Sequence, residues 1–313
     1  MANPFQGLGG LLSSAPPTNQ YFMQWAFVTT RFSNLLDRIQ LTENQIKDGF
    51  TKSRNISNTL SKAYWESNPV KERTYTIGSW AKNTAIRPPS DIDLLFEIPS
   101  QVVQKYQSYS GNIQSYLLQE IRNTLSPTYP QTEIKGDRHV VSVNFQTLNI
   151  EVVPWFHHQG QIYICDTKNG GNFIINDYAK ELDSLKYQNQ LTYGNTTNLI
   201  KLIKQWKNAN SIQISSFAIE LLVMEFLHYY INKSKSLYWY DWIVRDFFHH
   251  LSLRQSLKIK IPFTDEELTL DHQVISRARA AHEQSCHASE YERYNNNLSA
   301  ANKWSEVFGI KSL

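Results

Sequence analysis

The chain has 313 residues, 41% of them hydrophobic and 19% charged, with a formal net charge of +3. That length holds one large domain or two intimate ones with ample core, in an ordinary globular balance. The charge is too weak to demand a polymeric nucleic-acid partner, though it suits local handling of anionic nucleotides.

Residues 1–19 are small, uncharged and rich in Gly, Ser and Pro, and are expected to form a flexible arm without the features of a signal peptide. From Gln20 to about Trp65, Phe27, Phe32, Leu35, Leu36 and Ile39 recur at helical spacing. Thr42 followed by Gln45 is a capping-box pattern, so one long helix, or two broken near Gln40–Thr42, is expected. Thr74–Trp80 is a β-prone run ending at a Gly-Ser pair, and Arg87–Ser90 is a loop. Asp91–Pro99 alternates acidic and apolar residues as a half-buried strand does. A helix is expected over Val103–Leu125. His139–Phe145 and Leu148–Phe156 are read as a hairpin turning at Gln146-Thr147. After a turn at Lys168–Gly171 the chain becomes helical, with helices over Thr197–Lys207, Ser215–Tyr230, Trp239–Leu253, Asp265–Glu283 and Tyr291–Val307. The apolar run Phe217–Tyr230 carries Glu220, Glu225 and His228 and is too short to span a bilayer. Cys165 and Cys286 cannot build a four-cysteine zinc site, and a reducing cytoplasm is the default.

Asp91 and Asp93 stand two apart on an expected strand, so their side chains share a face. Two carboxylates about 7 Å apart along a strand repel unless a cation lies between them. A third acid, Glu151, lies in the apolar run Leu148–Trp155, where a lone acid is costly unless paired or metal-bound. Hard oxygen ligands of this kind suit two Mg2+ ions, with Mn2+ as a substitute, and substrate phosphates completing the shells. The alternative is a surface strand with a chance Asp-x-Asp. Gly78-Ser79 bears on that choice. Glycine allows a sharp turn into a helix whose free N–H groups can meet phosphate, and the Ser79 hydroxyl can add a hydrogen bond.

Ile77-Gly78-Ser79, then Asp91-Ile-Asp93-Leu94, then an acid in a later apolar strand, resembles the DNA polymerase β-type nucleotidyltransferase signature. The wider string Gly78–Asp93 is similar to the bacterial cGAS/DncV-like nucleotidyltransferases. One departure is Glu151, where many members have Asp; Glu is one methylene longer and can still ligate Mg2+. The resemblance covers about residues 55–309. It assigns Lys204 and Ser216 to the triphosphate and Phe217 to a base. A lysine and a helix-start serine can both serve phosphate, and an aromatic face is worth roughly 1–3 kcal/mol per base. Lys201, three residues before Lys204 on the same helix face, is expected to be a solvated or salt-bridged neighbour. Glu97 is read as a strand-end or hydrogen-bonding residue, Arg87 as part of a turn, and His157-His158 as a solvent-facing strand end. His282, Cys286 and His287 have metal-like spacing but do not all share a helix face.

The resemblance implies an α+β fold: a polymerase β-like core with a mixed sheet over 20–190, braced by the N-terminal helix, and an all-helical lobe over 191–313 closing over nucleotides. It implies a cyclic di- or trinucleotide synthase that joins ATP, GTP or other nucleoside triphosphates and releases pyrophosphate. A separate effector protein would be activated by the product, during phage infection. The protein is expected to be monomeric, with no zinc thumb, no strong nucleic-acid surface and no membrane partner. The chain stops at Lys311-Ser-Leu313, close behind an expected helix, and no C-terminal conjugation is expected. Three alternatives stay open: a nucleic-acid-tailing enzyme of the poly(A) or CCA-adding kind, a sensor gated by double-stranded nucleic acid, and a catalytically inactive nucleotide-binding module.

Overall fold

The computed structural model describes residues 25–65, 73–106, 108–175, 178–262, 266–311 and 313, so the arm expected over 1–19 lies outside the described residues. Two compact units result. One runs from Arg38 to Lys204, and the other joins the chain up to Asp37 to the residues from Gln205 onward.

The N-terminal helical stretch is two helices, α1 (Val28–Ile39) and α2 (Glu43–Trp65). The capping box forms as its sequence requires: Gln45 N–H donates to Thr42 Oγ1 at 3.2 Å and Thr42 N–H to Gln45 Oε1 at 2.9 Å. These bonds satisfy amides that a helix start would leave unpaired.

The first unit is built on a seven-stranded mixed sheet of β1 (Thr74–Ile77), β2 (Ile92–Glu97), β3 (Glu133–Asp137), β4 (Val140–Asn144), β5 (Asn149–His158), β6 (Gln161–Asp166) and β7 (Asn172–Ile175). Its order is β1-β2-β5-β4-β3, with β6 on β5 and β7 on β6. β2 and β5 run parallel and pair Ile92 with Ile150 and Asp93 with Glu151. The other pairs are antiparallel, including the expected β4–β5 hairpin, which places Ser142 opposite Glu151. Alternation fixes the two faces. Ile92, Leu94, Phe96, Ile150, Val152 and Phe156 enter one core with Ile56 and Leu60 of α2. The same core takes Val103 of α4 (Ser100–Tyr106) and Leu117, Leu118 and Ile121 of α5 (Ile113–Leu125). The opposite face carries a smaller cluster of Leu95, Val153, Trp155 and Ile164, and the acids. This unit also holds α3 (Gly78–Ala81), α6 (Tyr178–Leu191) and α7 (Asn195–Ala209) up to Lys204.

The second unit contains α8 (Ser216–Tyr229), α9 (Tyr240–Ser252), a hairpin of β8 (Lys258–Lys260) and β9 (Glu267–Thr269), α10 (His272–Arg293) and α11 (Asn297–Phe308). Phe32 of α1 packs here, its ring 5.8 Å from Tyr240 and 5.1 Å from Trp304.

Several expectations change. The helix over Val103–Leu125 is two, because Gly111 takes φ +109° and the Asn112 side chain caps α5 by accepting from Ser115 N–H at 2.9 Å. The helix expected from Asp265 starts only at His272, behind the Asp271 cap and the β8–β9 hairpin; Asp265 itself lies outside the described residues. The helix over Tyr291–Val307 breaks at Asn295, φ +53°, and Asn296 caps α11. The division also differs from 20–190 and 191–313. Phe32 packing places α1 with the second unit up to Asp37, so of the two N-terminal helices it is α2 that packs against the sheet, beside α4 and α5. In turn α6 and α7 up to Lys204 belong with the sheet.

Candidate active site

The site begins where β1 ends. Gly78 has φ +63°, and a Cβ added to it would lie 2.0 Å from Asp93 Oδ2. Asp93 therefore rests its carboxylate on bare backbone. An alanine at position 78 would cost about 1–2 kcal/mol for the left-handed conformation alone, before the clash. Ile77 pairs with Asp93 across β1–β2. Ser79 is half-buried, and its carbonyl accepts from Thr84 N–H at 2.8 Å, which closes the turn after α3.

The three expected acids sit on the sheet face opposite the large core. Asp91 stands one residue ahead of β2, a small shift from the expected strand start, and its Oδ1 accepts from Asn149 Nδ2 at 3.0 Å. Asp93 and Glu151 are register partners on parallel strands, which places neighbouring chains about 4.8 Å apart. Glu151 is half-buried and pushed up to about 7, first by burial and then by the charges of Asp91, Asp93 and Asp137. Among the described residues, no three His, Cys, Asp or Glu side chains converge into a ready-made metal cage. After burial, it is the like charge of the neighbouring carboxylates that raises Glu151. The residues fit a divalent cation: hard oxygen donors on one face, crowded enough that added positive charge would relieve them.

Lys204 joins this region from α7. It is 5% exposed, and its Nζ donates to the Thr84 carbonyl at 3.2 Å and the Thr84 hydroxyl at 3.1 Å. Through Thr84 it is tied to Ser79. Lys201 departs from expectation: it is buried, and Nζ lies 3.4 Å from Asn83 Oδ1. The structure thus brings Gly78, Ser79, Asp91, Asp93, Glu151 and Lys204 into one unit. Ser216 and Phe217 belong to the other. Ser215 caps α8 by accepting from Ala218 N–H at 3.0 Å, leaving Ser216 exposed as the first helical residue and Phe217 half-buried.

The remaining candidates resolve simply. Glu97 accepts from Arg73 Nη1 at 2.6 Å, so it is ion-paired. Arg87 lies in its loop, and its backbone N–H donates to the carbonyl of Ile39 at the end of α1. His157 and His158 are exposed at the end of β5. The His282 ring lies tilted against that of His249, centroids 4.7 Å apart, and Cys286 Sγ lies 3.4 Å from His282 Nε2. Sequence reasoning missed Asn149, whose signal was its position two before Glu151 and hence on the same face.

Acids in register on two parallel strands, backed by a Gly-Ser turn, form the arrangement expected for a nucleotidyltransferase. The Second Messenger Oligonucleotide or Dinucleotide Synthetase domain matches residues 27–189, and the chain belongs to that family. A probable cyclic nucleotide synthase of Bacillus cereus is 26% identical over 74% of this chain and 80% of its own length. A cyclic GMP-AMP synthase of Staphylococcus schleiferi is 27% identical over 59% of this chain and 67% of its own. Among solved structures, the Vibrio cholerae di-nucleotide cyclase DncV superposes with a TM-score of 0.70 at 13% identity, covering 94% of this chain and 97% of that one. At these identities the structural likeness concerns the fold. No helix among the described residues is long and apolar enough to cross a membrane.

Proposed function

We propose that this protein condenses nucleoside triphosphates into a small cyclic oligonucleotide and releases pyrophosphate, as a second-messenger synthase in bacterial anti-phage signalling whose product acts on a separate effector. The observation that carries this reading is the register pairing of Asp93 with Glu151 against the Gly78 backbone. Asp91, Asp93 and Glu151 would hold two Mg2+ ions, or Mn2+, which would supply charge neutralisation to the attacking hydroxyl and the triphosphate. Asn149 holds one oxygen of Asp91 and so orients its carboxylate. Lys204 offers a buried positive charge beside the Gly-Ser turn for the donor phosphates. For Ser216 and Phe217 we propose the triphosphate and base contacts that the resemblance implies. Family membership and curated relatives named for cyclic GMP-AMP and cyclic AMP-AMP-AMP support a cyclic product.

The test is purified protein with all four nucleoside triphosphates and Mg2+, with and without RNA or DNA oligonucleotides, every product being sized by mass spectrometry. Cyclic products of a few nucleotides, independent of added oligonucleotide, are expected. Extension of the oligonucleotide as the main product would replace this reading with a tailing enzyme. Duplex stimulation without extension would point to a gated sensor, and binding without turnover to an inactive module.

A further inference from the structure

Three indoles come together in the helical unit. The turn Leu237–Trp239 leads into α9, which keeps Tyr238, Trp239 and Trp242 close, and Trp25 joins them from just ahead of α1. The Trp239 and Trp242 rings are perpendicular at 5.1 Å, and Trp25 meets Trp242 edge-to-face at 6.2 Å. With Tyr238 they line a pocket that shows carbon rather than polar atoms to solvent. Rings set at right angles turn their negative π faces in more than one direction, an arrangement that attracts a cation. Two of these rings already draw one. The Lys235 ammonium lies 5.1 Å from the Trp239 ring centre, and the Arg245 guanidinium carbon 5.2 Å from that of Trp242.

The fifth lining residue is an acid, Asp241. It is 1% exposed, and its Oδ2 has no hydrogen-bond partner among the described residues. The arginines nearby are engaged by other acids, Arg245 by Asp246 at 2.8 Å and Arg31 by Glu292 at 2.6 Å. Burial, and then the charge of Glu292, holds the Asp241 carboxyl well above the usual carboxylate range, while Arg245 opposes the shift. A buried acid of this kind is stabilised in its charged form by positive charge brought up to it. The lining also selects the kind of cation. A primary ammonium or a guanidinium must keep its N–H groups hydrogen-bonded, and this pocket shows them almost no polar surface. A quaternary ammonium has no N–H to satisfy. Its methyl groups suit apolar rings, and its charge acts on Asp241 through a low-dielectric wall without touching it.

We propose that Trp25, Tyr238, Trp239 and Trp242 form, with Asp241 in the wall, a binding site for a trimethylammonium group. The site lies within the helical unit and does not depend on the nucleotide-condensing reading. A purely structural role, in which the indoles only fasten the chain ahead of α1 to α9, predicts no preference for a charged ligand.

The experiment is calorimetry on the full chain with choline chloride, set against the uncharged isostere in which carbon replaces the nitrogen. Choline is expected to bind with a Kd of about 1 mM or tighter, and the isostere about 10-fold more weakly. Trp239→Leu keeps an apolar side chain without a π face and should weaken choline about 5-fold or more, whereas Trp239→Phe keeps a π face and should weaken it less. Asp241→Asn should weaken choline about 5-fold and leave the isostere unchanged. No choline binding at about 10 mM overturns the proposal, as does equal affinity for choline and its isostere, which would make the pocket a merely apolar slot. Wild-type choline affinity in Trp239→Leu, or equal weakness of Trp239→Phe, overturns it as well. Wild-type choline affinity in Asp241→Asn removes the acid from the site and overturns it in the form stated. Should Asp241→Asn fail to fold, the isostere and the two Trp239 variants decide.

Discussion

In the helical unit, Arg31 and Glu292 are buried together with Nε 2.6 Å from the carboxylate, and Arg31 also donates to Asn297 Oδ1 at 2.6 Å. Arg254 meets Glu225 at 2.6 Å, and Tyr230 donates to Asp246 at 2.8 Å. Opposite partners are matched there. In the sheet unit, Asp91, Asp93 and Glu151 crowd one face, and Lys201 and Lys204 crowd one turn of α7. Like sits beside like. Charge paired with its opposite serves the fold, whereas like charges gathered in a half-buried setting repel one another and favour a ligand that brings the opposite charge.

The contrast is broken most sharply by removing the acids. Asp91→Asn with Asp93→Asn should lower nucleotide incorporation by about 1,000-fold or more, since cation-borne stabilisation of transition-state charge is worth several kcal/mol. The melting temperature should hold or rise, because repulsion is relieved. Wild-type turnover in that double variant would sink the metal assignment. The converse change in the helical unit is Arg31→Met. It strands Glu292, buried at 0% exposure, and should cost about 3–5 kcal/mol in denaturant unfolding. Turnover per folded molecule should stay as it was; a selective loss of activity would show that the matched charges serve chemistry too.

Within the sheet unit, the acidic and the basic cluster should separate kinetically. Glu151→Gln should lower kcat by about 100-fold, the lower range for a group that assists proton transfer, with little change in triphosphate affinity. Lys204→Ala should instead raise the KM for triphosphate about 10-fold, with a smaller change in kcat. Rapid-quench rates set against equilibrium binding distinguish the two. An unchanged rate in Glu151→Gln would leave it a buried strand acid and nothing more.

How far the sequence reveals this arrangement depends on how local each signal is. Gly78, Asp93 and Glu151 are legible because period-2 alternation fixes a face and a lone acid in an apolar strand demands a partner. The β4–β5 hairpin and the Thr42–Gln45 cap are legible for the same local reason. β3 is not, because its five residues bury only Ile134 and show no alternation. The breaks at Gly111–Asn112 and Asn295–Asn296 carry turn-forming residues of their own, local signals that the single-helix readings pass over. Lys201 is misread because a Lys-x-x-Lys helix looks wet in isolation. In the fold it is buried, and its hydrogen bond goes to Asn83, more than a hundred residues earlier in sequence. The placement of α1 is another nonlocal outcome, decided by Phe32 and Arg31 meeting residues near the other end of the chain.

The last effect concerns the helical unit's own exception, Asp241. It is 1% exposed, and its Oδ2 has no hydrogen-bond partner among the described residues. Burial, and then the charge of Glu292, holds its carboxyl well above the usual carboxylate range, while Arg245 and the Trp242 backbone oppose the shift. The matching rule survives if Asp241 is neutral in the fold, which makes a pH dependence that can be signed. Above the ordinary carboxylate pKa of about 3.9 the unfolded chain loses this proton while the folded chain keeps it. The folded state then binds more protons, so stability is greatest at low pH and falls as pH rises, by at most about 1.4 kcal/mol per pH unit, until the folded pKa is passed. Asp241→Asn cannot lose a proton and should escape that decline. The melting-temperature difference, variant minus wild type, should therefore grow between pH 5 and pH 8. A difference that stays flat, or shrinks, would mean that Asp241 is ionised in the fold and that the helical unit, too, carries an unmatched charge.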